Sequence, residues 1–161
     1  MSEQNPTLHM VCGKIASGKS TLASSLAKAP RTVLISEDLW LSNLYADELR
    51  NIADYVRCSA HLRAAIGPHI VELLQNGTSV VLDFPANTRQ IRAWMHSLIK
   101  EAGAAHALHL LDLPDAVCKE RLRERNAAGT HEFTVSDEQF DQITRHFERP
   151  VPDEGFKIVI Y

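Results

Sequence analysis

The chain has 161 residues, 45% of them hydrophobic and 23% charged, which suits one ordered domain with a sizeable core and argues against disorder and against repeat arrays. A net charge of −3 and a pI of about 6.2 lack the basic balance of a domain that tracks nucleic acid. The polar start has no signal-peptide pattern and no apolar stretch nears the roughly 20 residues of a membrane span; the three scattered cysteines, Cys12, Cys58 and Cys118, read as reduced thiols of a cytoplasmic protein.

Residues 7–12 form a short apolar run closed by Gly13 and are predicted as a buried strand. Residues 18–28 follow as a helix, stopped by Pro30. Between them Gly13-Lys14-Ile15-Ala16-Ser17-Gly18-Lys19-Ser20 matches G-x-x-x-x-G-K-[ST] in full. Glycine permits the unusual backbone angles and the close approach that such a loop needs. Its N–H groups form an anion nest, and the helix N-terminus adds positive potential. The backbone of Gly13, Lys14, Ala16, Ser17 and Gly18 is therefore expected to hold the phosphates of a nucleoside triphosphate. Lys19 would bring a point charge to the outer phosphates, Ser20 a hydroxyl to Mg2+, and Thr21 a contact to an inner phosphate oxygen.

Residues 32–35 are a second β-rich run, ending in Ser36-Glu37-Asp38. A carboxylate at Asp38 can orient an attacking hydroxyl and accept its proton; helix capping is the alternative use. Glu37 reads as a solvated neighbour. Trp40 either lines an acceptor pocket or packs into the core. Residues 39–50 are predicted helical. Residues 54–75 carry Leu62, Ile66, Ile70, Leu73 and Leu74 near helical spacing, with Gly67-Pro68 expected to kink the helix or split it in two. The helical insert after Asp38 is where acceptor choice is expected.

Asn76-Gly77 is a turn signal before a third strand, residues 79–82, which ends at Asp83. An acid after an apolar strand is expected to hold magnesium, directly or through its water. Asn87, Arg89 and Arg92 offer a contact to acceptor or phosphate, or simply an exposed helix start. Residues 88–102 read as a helix stopped by Gly103, and 105–113 as a fourth strand whose His106 and His109 face opposite sides and are taken as structural. Pro114 opens a helix to about Asn126. Arg121 and Arg125 share one of its faces, and their forked donors suit phosphate oxygens; ion pairs with Glu120 and Glu124 are the alternative. With the polar loop 127–135 they form an expected lid, about 121–135, in which His131 is a candidate acceptor contact. Ser136 caps another helix, and residues 156–161 are a last strand.

Strands alternating with helices predict a single α/β domain, residues 1–161, with a parallel sheet covered on both faces. Ligands of such sheets lie at the carboxyl ends of the strands. Gly13, Asp38, Asp83 and the segment after Leu113 all fall there.

Taken in order, the loop 13–21, Ser36-Glu37-Asp38, the segment from Val80 through Asp83 and Asn87 to Arg92, and Arg121 to Asn126 resemble the small P-loop kinases related to polynucleotide kinases, zeta toxins and chloramphenicol phosphotransferase. The resemblance covers most of the chain. It implies a three-layer P-loop NTPase fold with a five-stranded parallel sheet in order 2-3-1-4-5 and a small helical lid. It implies ATP with Mg2+, Asp38 as the acidic base and Arg125 as a lid arginine. Some members carry a second arginine where this chain has Ala127-Ala128-Gly129, so Arg121 substitutes or the lid is weaker. The leading expectation is γ-phosphate transfer to a hydroxyl of a small molecule, with Lys19, Asp38, Arg121 and Arg125 as catalytic groups. A polynucleotide 5′-hydroxyl kinase and an ATP-dependent switch acting through a partner protein are the alternatives.

Overall fold

Four buried side chains in the first strand, β1 (Thr7–Gly13), fix the middle of the molecule: Leu8, Met10, Val11 and Cys12 have no solvent exposure. The computed structural model describes residues 5–129 and 134–161, so His131 lies outside the described residues. A strand buried on both sides needs hydrogen-bonded neighbours on both edges and a layer on each face. β1 pairs in parallel with β3 (Ser79–Pro85) and with β4 (Ala105–Leu111). β2 (Thr32–Ser36) and β5 (Ile158–Ile160) complete the parallel order β2-β3-β1-β4-β5.

Alternate β1 side chains sort the layers. Leu8, Met10 and Cys12 join the main core with α3 (Ile52–Gln75) and α4 (Arg89–Ala102), through Leu62, Ile70 and Met95. Val11 faces the other way and packs with Val81 and Ala23 of α1 (Lys19–Leu26). A third cluster, Cys118, Leu122 and Phe140, joins α5 (Asp115–Ala128) to α6 (Asp137–Thr144) and takes in Ile15 and Ala16. No helix of the described residues is long and apolar enough to cross a membrane.

Several boundaries differ from expectation. α3 runs through Gly67-Pro68 as one helix. A helix-interior proline costs about 3 kcal/mol, but Ile66, Ile70, Val71 and Leu74 are buried around it, at about 1.5–3 kcal/mol each. Burial on that scale keeps the helix whole. α2 (Glu37–Tyr45) starts early because Ser36 caps it, its Oγ accepting the Leu39 N–H at 3.4 Å. Asp38 therefore lies in the first turn of α2, and a 3-10 turn, Ala46–Glu48, replaces the end of the expected helix. Asp83 sits within β3, in register with Ser36.

Arg92 is wholly buried, which excludes the exposed helix start offered for it. Its Nε donates to Glu154 at 2.8 Å, and its Nη1 donates to the Ala86 and Glu148 carbonyls at 3.0 and 2.7 Å. This one side chain ties the C-terminal segment to the end of β3. On the α1 side of the sheet, His9 Nδ1 lies 3.0 Å from His109 Nε2, and His109 Nδ1 lies 2.8 Å from the Tyr161 hydroxyl. Burial pulls the His109 imidazole down to about 4, helped by His9.

Arg92→Ala leaves Glu154 without its cation and should cost about 3–5 kcal/mol, read as a lowered urea midpoint. The folded chain keeps His109 neutral where the unfolded chain would protonate it, so unfolding takes up a proton between about pH 4 and the ordinary histidine value of 6.5. Its contribution to stability is complete above 6.5 and falls away as the pH drops towards 4. Melting curves across that window should slope less steeply for His109→Gln.

Candidate functional site

The loop between β1 and α1 carries its unusual backbone where the sequence permits it. A Cβ added at Gly13 would lie 2.4 Å from Ser17 Oγ and 3.1 Å from Leu111 Cβ, so only glycine fits. Gly18 caps α1 at φ 99°. Ala16 holds φ 61°, a left-handed conformation that costs a residue with a Cβ about 1–2 kcal/mol. Such strain persists where the surroundings over-determine it, and here Ile15 and Ala16 pack on Cys118, Leu122 and Phe140.

Asn87 fixes the start of the loop. Its Oδ1 accepts the Gly13 N–H at 3.0 Å, and its Nδ2 donates to the Gly13 carbonyl at 2.8 Å. Its own carbonyl accepts the Glu148 N–H at 2.8 Å. Asn87 is thus engaged in holding the loop, not turned towards an acceptor.

Lys19 reaches back across the loop, its Nζ donating to the Gly13 and Lys14 carbonyls at 2.7 and 2.8 Å. Burial pulls its amine down to about 8, while the Asp83 and Asp38 carboxylates act in the opposite direction. Ser20 and Thr21 are exposed on the first turn of α1. The Lys14 side chain turns aside to Asp115 at 2.5 Å, so only its backbone faces the lysine.

Two acids act on that lysine, and two arginines of α5 lie nearby. Asp83 and Asp38 are both half-buried. Asp38 also bears on Arg125 of α5, whose guanidinium is lowered by burial and pulled back up by that carboxylate. Arg125 Nε is buried with no hydrogen-bond partner among the described residues. Arg121, one turn earlier and exposed, donates from Nη1 to the Ser17 carbonyl at 3.4 Å and lies 3.7 Å from where a Gly18 Cβ would stand. Arg123 leaves that face for an ion pair with Asp137 at 2.5 Å. Asp38 and Asp83 thus act on the loop lysine, Arg121 touches the loop at Ser17, and Arg125 is linked to it through Asp38.

Glu37 departs from its expected solvated position. It is 2% exposed, not solvated. The Tyr55 hydroxyl donates to its Oε1, and Ser59 Oγ donates to its Oε2 at 2.8 Å. Arg63 Nη1 donates in turn to Ser59 Oγ at 2.8 Å. The available signal was Tyr55 and Ser59 one turn apart on the stripe that carries Leu62 and Ile66. Trp40 is 41% exposed, which excludes core packing.

The Ser20 hydroxyl and the Asp83 carboxylate are hard oxygen donors of the kind Mg2+ takes when phosphates and water complete its shell. The described residues hold no group of three or more His, Cys, Asp or Glu side chains able to hold a metal.

A family described as AAA domain matches residues 8–150. No curated protein matches the chain. Among solved structures, a candidate kinase from Chloroflexus aurantiacus is similar with TM-score 0.76 and 22% identity, covering 98% of this chain and 85% of that one. Kti12 from Chaetomium thermophilum, in complex with ADP-AlF3, gives 0.70 and 19%, covering 96% and 89%. The APS kinase CysC of Mycobacterium tuberculosis, with AMPPNP and APS, gives 0.62 and 22%, covering 97% and 88%. At these identities the likeness is one of fold.

Asn87→Ala removes both bonds that hold Gly13, at about 1 kcal/mol each. Calorimetry with magnesium and AMPPNP should show affinity reduced by roughly tenfold or more in a chain that still melts cooperatively.

Proposed function

The chain belongs to the AAA domain family, and on that premise we propose that it is an ATP-dependent phosphotransferase that moves the γ-phosphate to a hydroxyl of a small molecule. One observation carries the reading: Lys19 Nζ folds across the loop onto the Gly13 and Lys14 carbonyls, Arg121 donates to the Ser17 carbonyl of the same loop, and the Asp83 and Asp38 carboxylates act on that lysine. Such a set offers cations for phosphate oxygens beside a base for the attacking group.

In this reading the amides of residues 13–21 and the Lys19 ammonium hold the outer phosphates. Asp38 takes the proton of the acceptor hydroxyl as its oxygen forms the new bond to the γ-phosphorus, while the bond to the β–γ bridging oxygen breaks and ADP leaves. Arg125, whose Nε has no hydrogen-bond partner among the described residues, and Arg121 meet the charge spread over the transferring group. Mg2+, held by Ser20 and Asp83 when bound, would neutralise phosphate charge. The end of α5, with Arg121 and Arg125, is the described part of the expected lid. The acidic balance of the chain favours a small acceptor over a polyanionic nucleic acid.

A screen of hydroxyl compounds with γ-labelled ATP tests the proposal; nucleosides, sugars and 5′-hydroxyl oligonucleotides are its arms. Lys19→Ala should abolish turnover while circular dichroism stays unchanged. Asp38→Asn should retain AMPPNP binding and lose transfer by about 10²-fold or more. Loss of nucleotide affinity in equal measure would instead make Asp38 part of the nucleotide site.

A further inference from the structure

We propose that Glu37 is a positioning residue for Asp38, locking the first turn of α2 to α3 through Tyr55 and Ser59; this rests on the reading of Asp38 as the group that orients the attacking oxygen. Burying a carboxylate costs several kcal/mol unless its oxygens are matched by donors. Here each oxygen has one, from residues a turn apart on α3. Anchoring alone does not require this acid, because α2 already buries Leu41 completely. Leu41 and Tyr45, the α2 side chains on the main core, lie three and seven residues beyond Asp38 and leave the first turn free to shift. Two hydrogen bonds to the two oxygens of one carboxylate remove that freedom, and the next side chain along the backbone is Asp38.

The attachment extends beyond α3. Arg63 donates to Ser59 and lies 6.0 Å over the ring of Trp94 on α4. The chain Trp94–Arg63–Ser59–Glu37 therefore runs through three helices and ends beside Asp38. Burial raises the Glu37 carboxyl, and the hydrogen bonds from Tyr55 and Ser59 act in the opposite direction. A misplacement of about 1 Å in a reacting group can cost about 10²-fold in rate, so a rigid first turn matters to the chemistry.

The test is acceptor-independent hydrolysis of MgATP, with water as the attacking group, in a double-mutant cycle. Glu37→Ala should lower kcat by roughly tenfold with KM for ATP within about twofold. Glu37→Gln, which can still bond both hydroxyls, should keep most of the rate. In an Asp38→Asn background, Glu37→Ala should cost less than about twofold, because the group it positions is already disabled. An equal fractional loss in both backgrounds, or a parallel loss of ATP affinity, would overturn the proposal. Should Glu37→Ala not fold, Tyr55→Phe removes one donor, and its smaller loss should likewise vanish beside Asp38→Asn; a wild-type rate in Tyr55→Phe would contradict the account. Wild-type hydrolysis by Asp38→Asn would instead remove the reading of Asp38 itself. An impaired Asp38→Asn beside an unimpaired Glu37→Ala would remove only the positioning role.

Discussion

A ring of main-chain amides can grip a phosphate only if something other than the phosphate holds the ring open. Here that constraint is met from three sides. Asn87 fixes Gly13 by its N–H and its carbonyl. Lys19 spans the loop to the Gly13 and Lys14 carbonyls. The cluster of α5 and α6 supports Ile15 and the left-handed Ala16. Each support comes from a different element, so the loop's shape depends on the completed fold. The buried β1 gives those elements their common reference, with β3 and β4 on its edges and helices on both faces.

The same arrangement explains the electrostatics. Burial depresses the lysine amine and the Arg125 guanidinium; Asp83 and Asp38 oppose it at the lysine, and Asp38 opposes it at Arg125. Charges that would be screened on an open surface act strongly in such an enclosure. The acids reach it by different routes: Asp83 along β3, and Asp38 on the first turn of α2, where Ser36 caps the helix. The arginines arrive on α5.

Much of this was legible in the sequence because it follows from local rules. The phosphate-loop pattern fixes the glycine positions, and alternating apolar runs and helical stripes fix the α/β class. Burial of polar groups was not legible. Glu37 sits beside Asp38 in a polar triplet and reads as solvated, yet its partners Tyr55 and Ser59 come from another helix. Arg92 reads as a phosphate ligand or surface residue, yet Glu154 and the Glu148 carbonyl enclose it from the far end of the chain. Asn87 serves the loop only because β3 delivers it next to Gly13. Boundaries also shifted where packing outweighed propensity, as along α3 across Pro68.

The account stands on backbone amides of the first loop receiving a polyphosphate. The most direct measurement is a titration of the isotopically labelled chain with magnesium and AMPPNP, followed through its amide proton–nitrogen spectrum. The account predicts saturable shifts concentrated on residues 13–21, with smaller ones at Asp83 and along α5. A folded chain whose spectrum did not respond, or responded only far from that loop, would contradict it.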